Sequence, residues 1–221
     1  MAIKNHQEEQ RLYGEYIYPH LHWFIPEKAD VLEVGCAEGG LLEVFQSHGH
    51  NVVGVEISRD RANKARVDVI GIDICGYNTD ERFDLIVMVD VIEHIILKIA
   101  TLKKVFELLK PGGYLYITFP PKHSPFAGHQ QHNKWLKYIL WISLLPESII
   151  RLLGSTDAII ENKRKAISVE AFEKMIKDFQ VIEKDLYFIR PQYKIRYGWK
   201  PRKAWFKYLT FGAEYLLTRW G

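Results

Sequence analysis

Short apolar runs alternate along the first half of the chain with segments whose apolar positions recur at helical spacing. The runs are Val31–Val34, Val52–Val55, a brief one reaching Gly71-Ile72-Asp73-Ile74, Phe83–Val89 and Tyr114–Phe119. Between them, Leu41, Leu42, Val44 and Phe45 form one stripe that Gly49 stops. Residues Arg59–Asp68 predict a second helix, and Ile99, Leu102, Val105, Phe106 and Leu109 predict another that covers the sheet. Upstream, residues 7–26 predict a helical segment rich in Tyr13, Tyr16, Tyr18, Trp23 and Phe24 and closed by Pro26. Lys110-Pro111-Gly112-Gly113 suits a type II turn, with proline pre-set at the second position and glycine where φ must be positive. Strands alternating with helices predict an α/β fold: a doubly wound, mostly parallel sheet with helices on both faces. Its ligands belong at the strands' C-terminal ends.

After Phe119 the alternation breaks. It resumes at Ser168, an N-cap type, with a helix over Val169–Lys177 and a strand around Phe179–Ile189. One domain over residues 1–221 is expected, divided into a core at 27–119, an inserted helical cap at 120–167, and C-terminal strands with a tail at 168–221. Because the insertion leaves a strand's C-terminal end, it is expected to stand over the ligand pocket.

Composition narrows this little. The chain has 221 residues, 48% of them hydrophobic and 26% charged, which is ordinary for a water-soluble domain with a sizeable core. Two cysteines, Cys36 and Cys75, make neither a disulfide framework nor a thiolate metal site. The polar start, Met1–Gln10, lacks the apolar core of a signal peptide, and no run is long enough for a membrane span. A cytoplasmic location follows as the expectation, with peripheral membrane contact left open. The net charge of +3 is unevenly placed, since residues 190–221 carry eight basic side chains against the single acid Glu214.

The chemistry concentrates in Val31-Leu32-Glu33-Val34-Gly35-Cys36-Ala37-Glu38-Gly39-Gly40, a strand entering a glycine-rich turn that opens a helix. Such a turn lets a ligand approach the backbone and presents N–H groups to it. One βα unit later, Val52-Val53-Gly54-Val55-Glu56 ends in a carboxylate, where nucleotide folds place the acceptor for two ribose hydroxyls. Asp73 ends the third run, suited to an adenine amino group. Val89-Asp90-Val91-Ile92-Glu93-His94 follows the fourth strand. Together these point to an adenosine-containing cofactor.

In order and spacing, these motifs resemble the class I S-adenosylmethionine-dependent methyltransferases, and most of all their quinone-biosynthesis and other small-molecule members. The resemblance spans roughly residues 28–120 and more loosely 168–190. It implies a Rossmann-like fold and S-adenosyl-L-methionine as cofactor. It implies that Glu33, Gly35, Cys36, Ala37, Gly39, Glu56, Ile57, Asp73, Ile74 and Val89 form the cofactor site. Glu33 would orient the methionine end, and Val89 would offer its carbonyl to the cofactor's amino group. Ala37 departs from the family's usual glycine, which is tolerated if its φ is negative.

Methyl transfer to oxygen benefits from a base, and among nine histidines His94 stands nearest the expected pocket. His129 and His132, in the insertion, are the other candidates. With His123 they have no recognised metal spacing, so no metal is expected. The greasy segment 135–145 could pack on the domain, on a second subunit of a homodimer, or over a lipid substrate. With the aromatic and basic residues of 199–220 it could also lie at a membrane surface. The expected activity is methylation of a small or lipid-linked acceptor, at an oxygen of a sugar, polysaccharide precursor or quinone-like molecule. Nucleic acid is the rival partner, through the basic tail, though no RNA-binding module is present. A non-catalytic cofactor-binding protein is the other rival.

Overall fold

The computed structural model describes residues 6–122, 145–152, 161, 165–187 and 212–220. Strands β1 (Asp30–Val34), β2 (Asn51–Val55), β3 (Val69–Ile70), β4 (Phe83–Val89) and β5 (Leu109–Phe119) run parallel. Strands β6 (Phe179–Tyr187) and β7 (Gly212–Arg219) complete a seven-stranded sheet in the order β3-β2-β1-β4-β5-β7-β6, with β7 antiparallel to both neighbours. The expected Rossmann-like α/β fold is therefore present. The chain winds outward from β1 to β3 and then returns to β4 on the other side of β1. That reversal opens a crevice at the C-terminal ends of β1 and β4, where doubly wound sheets hold their ligands.

Successive side chains of a strand face opposite ways, so each central strand feeds two cores. Val31, Val87, Tyr116 and Leu216 pack beneath helices α1 (His6–Leu21) and α2 (Gly40–Ser47), against Tyr13, Ile17, Leu21 and Phe45. Leu32, Ile86, Ile117 and Tyr215 pack on the other face, against Leu102 and Val105 of helix α4 (Lys98–Leu108) and Phe172 of helix α6 (Val169–Met175). Helix α3 (Arg59–Ala62) is a single turn, and α5 (Glu147–Leu152) is the one described helix of the insertion.

α1 lies hard against α2, because both surrender side chains at the contact. A Cβ on Gly40 would stand 2.3 Å from the Gln7 carbonyl oxygen, and one on Gly14 would stand 3.0 Å from Val44 Cγ2. Seated there, α1 spends its amides on the β1–α2 loop and on α2 itself. Gln10 Nε2 donates to the Cys36 carbonyl at 3.0 Å, and Gln7 Nε2 donates to Glu43 Oε1 at 2.7 Å. At the opposite edge of the sheet, Lys110 Nζ bridges Asp30 and Asp84 at 2.8 Å each, joining the starts of β1, β4 and β5. The Pro111-Gly112 turn takes the form expected, with Gly112 at φ +76, looping out of β5 where its register against β4 shifts.

Several expectations need correction. The helix expected over Arg59–Asp68 stops at Ala62, which is its only buried residue; of the segment that follows, Val67 packs against the core. In α4, Ile99 is exposed and Leu108 joins Leu102 and Val105 in the core, while Leu109 already belongs to β5. The strand expected around Phe179–Ile189 is described over Phe179–Tyr187, and residues 188 and 189 lie outside the described residues. The largest change concerns the C-terminal segment. Residues 212–219 are a buried strand in the sheet and not a membrane-facing surface, with Ala213, Tyr215 and Leu217 entirely covered. Segments 135–144 and 199–211 lie outside the described residues. Among the described residues no helix is long and apolar enough to cross a membrane.

Lys122 N–H donates to the Ile167 carbonyl at 2.8 Å, so the insertion departs and returns at one point beyond the C-terminal end of β5. This is the side of the sheet that carries the crevice.

Tyr215 stacks on Phe119 and touches Phe172, with its hydroxyl donating to Glu173 Oε1 at 3.2 Å. Tyr215→Ala is therefore expected to cost about 3–5 kcal/mol in urea unfolding, the range for emptying a buried aromatic site. Exposed Trp220→Ala should change stability by about 0.5 kcal/mol or less. Equal effects at the two positions would contradict the interior placement of β7.

Candidate functional site

The crevice is a cavity of about 310 Å³. The loop from β1 to α2 forms its floor, and that loop is built from left-handed backbone at Gly35 (φ +72), Ala37 (φ +47) and Gly39 (φ +76). Gly35 is needed for space as well as conformation, since a Cβ there would stand 2.5 Å from Val91 Cγ2. The expectation of a negative φ at Ala37 does not hold. A methyl group in this region costs roughly 1 kcal/mol. The residue is held there by its own N–H, which donates to Glu56 Oε2 at 2.9 Å.

Glu56 ends β2 and is almost entirely buried. A carboxylate so placed would be costly unless hydrogen-bonded. Its Oε1 accepts from Ser58 N–H at 2.8 Å, so its two oxygens each take one backbone donor, one from each loop flanking the crevice. Glu33, on β1, is in a different state. Its side chain is 2% exposed, and Oε2 has no hydrogen-bond partner among the described residues. Burial first, and then the Glu56 carboxylate, push its pKa up to about 8.

The cavity brings together Glu33, Gly35, Ala37, Glu56, Ile57, Val89 and His94, seven of the residues expected from the sequence. Ile57 is exposed at its mouth. His94 ends a 3-10 turn, Ile92–His94, with Nε2 3.7 Å from Glu93 Oε1. Cys36 and Gly39 share the loop but do not line the cavity. The Cys36 thiol is buried against the position that a Gly54 side chain would fill, and burial raises its pKa. Gly39 faces Val67. Asp73 is exposed and away from the cavity; its Oδ1 accepts from Cys75 N–H at 2.8 Å, capping the 3-10 turn that follows. Ile74 belongs to the core on the α4 face. His129 and His132 lie outside the described residues.

Sequence reasoning missed a whole wall of the cavity. His6, Glu9, Gln10 and Tyr13 of α1 line it. Their spacing puts them on one helical face, and that was the available signal. Tyr13 OH lies 3.0 Å from Tyr116 OH, a buried pair. Burial foremost, then the Glu214 carboxylate, hold the Tyr13 phenol well above the usual tyrosine range, so it stays protonated. Beyond this pair, Tyr116 lines a second cavity of about 310 Å³ with His20, Glu183, Asp185 and Glu214. Asp90 was also missed. It carries the signal that Glu56 carries, an acid closing an apolar strand.

A family model described as a methyltransferase domain matches residues 6–157. The ubiquinone biosynthesis O-methyltransferase of Chelativorans sp. (strain BNC1) is 31% identical over 98 residues, 39% of this chain and 38% of that protein. Phosphoethanolamine N-methyltransferase 1 of Arabidopsis thaliana is 32% identical over 176 residues, 67% of this chain and 35% of that protein. The chain thus spans little more than a third of the length of either curated relative. Among solved structures, an S-adenosylmethionine-dependent methyltransferase from Clostridium acetobutylicum ATCC 824 superposes with a TM-score of 0.64 at 14% identity, over 96% of this chain and 92% of that one.

The raised pKa of Glu33 has a consequence for stability. Between about pH 4.5 and 8 the folded chain keeps a proton that the unfolded chain has lost, so this group's contribution to stability falls as pH rises through that window. Glu33→Gln removes the decline. In denaturant titrations the variant should gain on the wild type between about pH 5 and pH 8.5, whereas an equal difference at both would contradict the shift. Separately, Ala37→Gly should raise stability by about 1 kcal/mol or less, because relief of strain exceeds the added freedom of the unfolded chain. A loss of stability would show that the left-handed conformation is not strained.

Proposed function

This chain belongs to the methyltransferase-domain family of class I S-adenosylmethionine-dependent methyltransferases, and from that premise we propose that it methylates an oxygen of a small or lipid-linked acceptor. The single observation that carries the reading is Glu33. It is a buried carboxyl group with an oxygen left over, in a cavity whose other buried acid already has a hydrogen-bond donor on each oxygen. A cationic ammonium is the group that such an oxygen fits, and the methionine end of S-adenosylmethionine supplies one.

The residues present suit the rest of that molecule. Glu56, fixed by two N–H donors, keeps lone pairs for a pair of ribose hydroxyls. Val89 offers a strand-end carbonyl at the cavity wall, and exposed Ile57 offers an apolar cover for the adenine. Asp73, engaged in a cap outside the cavity, is not needed for this assignment. When bound, the cofactor supplies a methyl group activated by its positive sulfur. The chain's task is then to position and to manage the proton, since alignment of the reacting atoms supplies much of the acceleration. His94 lines the same cavity and is assigned to the acceptor, together with His129 and His132 of the insertion.

The acceptor class rests on the setting of the site. One wall carries Tyr13, backed by its partner Tyr116, another carries His94, and the insertion joins the sheet beyond that edge. A hydroxyl-bearing sugar or quinone-like ring fits the polar groups. The curated relatives differ in the atom that their names say is methylated, oxygen in one and nitrogen in the other.

Calorimetry with S-adenosylhomocysteine tests the cofactor assignment. Binding is expected, with none for NAD. Glu56→Ala should weaken it by about 1.5–3 kcal/mol for each charge-assisted bond lost. Binding of NAD alone, or unchanged affinity in the variant, would contradict the reading.

A further inference from the structure

Two non-glycine residues among those described hold left-handed backbone, Ala37 and Asp90, and both line the one cavity. The Ala37 conformation is accounted for by the loop and its bond to Glu56. Asp90 (φ +53) holds the same conformation although a glycine or asparagine would turn the chain there with less strain. Strain retained at a cavity wall is a mark of function.

The residue is held firmly. Its N–H donates to the Thr118 carbonyl at 3.1 Å and approaches the Thr118 hydroxyl at 3.3 Å. That hydroxyl in turn donates to Asp90 Oδ1 at 3.1 Å. Thr118 is completely buried and sits opposite Val89 on β5, so the carboxylate is braced on the rigid centre of the sheet. It stands one residue beyond the carbonyl assigned to the cofactor. Tyr13, kept protonated, feels the charges of both Glu214 and Asp90. Glu33 and His94 share the wall, and Glu214 pairs with Thr118 across β5 and β7.

We infer that Asp90 is a further catalytic residue of the reaction proposed above, on which this inference rests: its carboxylate receives the hydrogen bond of the acceptor hydroxyl and takes its proton. The atoms balance without another reactant. The hydroxyl oxygen forms the bond to the methyl carbon, the electron pair of the breaking carbon–sulfur bond stays on sulfur, and the hydroxyl proton passes to the carboxylate. Methylation makes the oxygen strongly acidic as the bond forms, so a carboxylate is basic enough to receive the proton. Thr118 is a positioning residue, since it acts through Asp90.

The test uses the full chain, methyl-labelled S-adenosylmethionine and a panel of hydroxyl acceptors: dihydroxybenzoate, free hexoses and lipid-linked sugars. Asp90→Asn should lower label transfer by about 100-fold or more while S-adenosylhomocysteine affinity stays within about twofold. The acidic limb of the wild-type pH–rate profile should disappear in this variant and return in Asp90→Glu. Asp90→Gly should raise the thermal midpoint yet lose transfer, separating strain from chemistry. The inference is overturned if Asp90→Asn transfers label within about threefold of wild type. It is overturned equally if affinity for S-adenosylhomocysteine falls in step with transfer, or if His94→Gln abolishes the acidic limb and Asp90→Asn keeps it. Binding of S-adenosylhomocysteine without transfer by the wild-type chain to any acceptor would instead overturn the methyltransfer reading.

Discussion

A carboxyl group buried on the central strand, with one oxygen left without a partner, sets the terms for the rest of this site. Glu33 cannot be moved outward without breaking the register of β1 between β2 and β4, and it is not neutralised from within the fold. The fold's answer is to leave it protonated until a cation arrives, which is what a pKa near 8 means at neutral pH. Glu56, close enough to raise that pKa, is treated in the opposite way, its two oxygens each taking a backbone donor from one of the two loops flanking the crevice. One acid is left with an oxygen unpartnered and its neighbour is given a donor on each oxygen. The shape of the β1–α2 loop, including the strained Ala37, follows from the second arrangement.

The same economy explains α1. Two glycines let it settle on α2, and Gln10 then secures the loop at the Cys36 carbonyl. The helix thereby becomes a wall of the cavity, and its Tyr13 joins Tyr116 to connect that wall with the antiparallel edge of the sheet. Among the described residues, left-handed backbone at a non-glycine residue occurs at Ala37 and Asp90, both at the cavity, while the strands behind them are regular and apolar. A rigid sheet can carry such local cost because a central strand cannot relax alone.

Much of this was legible before any coordinates. Val31–Gly40 and Val52–Glu56 state strand, turn and carboxylate so directly that Gly35 and Glu56 could be placed by spacing, whereas Glu33 was placed by the family resemblance. What failed had physical causes. An acid at the end of an apolar run looks the same whether it lines a cavity, as Asp90 does, or caps a turn, as Asp73 does. The sign of φ at Ala37 is decided by a hydrogen bond from a residue 19 positions away. Aromatic and basic residues around 212–219 suit a membrane interface as well as a strand. The alternation of Ala213, Tyr215 and Leu217 was the clue that pairing with β5 converts into burial. The face of α1 was readable as a face, but not as one turned toward a cavity.

The account stands on the proton held by Glu33. Titration calorimetry of S-adenosylhomocysteine at about pH 7, repeated in buffers of different ionisation enthalpy, counts protons exchanged on binding. The ligand brings an ammonium to a carboxyl that is mostly protonated, so its pKa must fall and close to one proton should be released. In the Glu33→Gln protein that release should vanish. An observed heat independent of buffer in the wild-type chain would mean that Glu33 is not the group that meets the cofactor's charge.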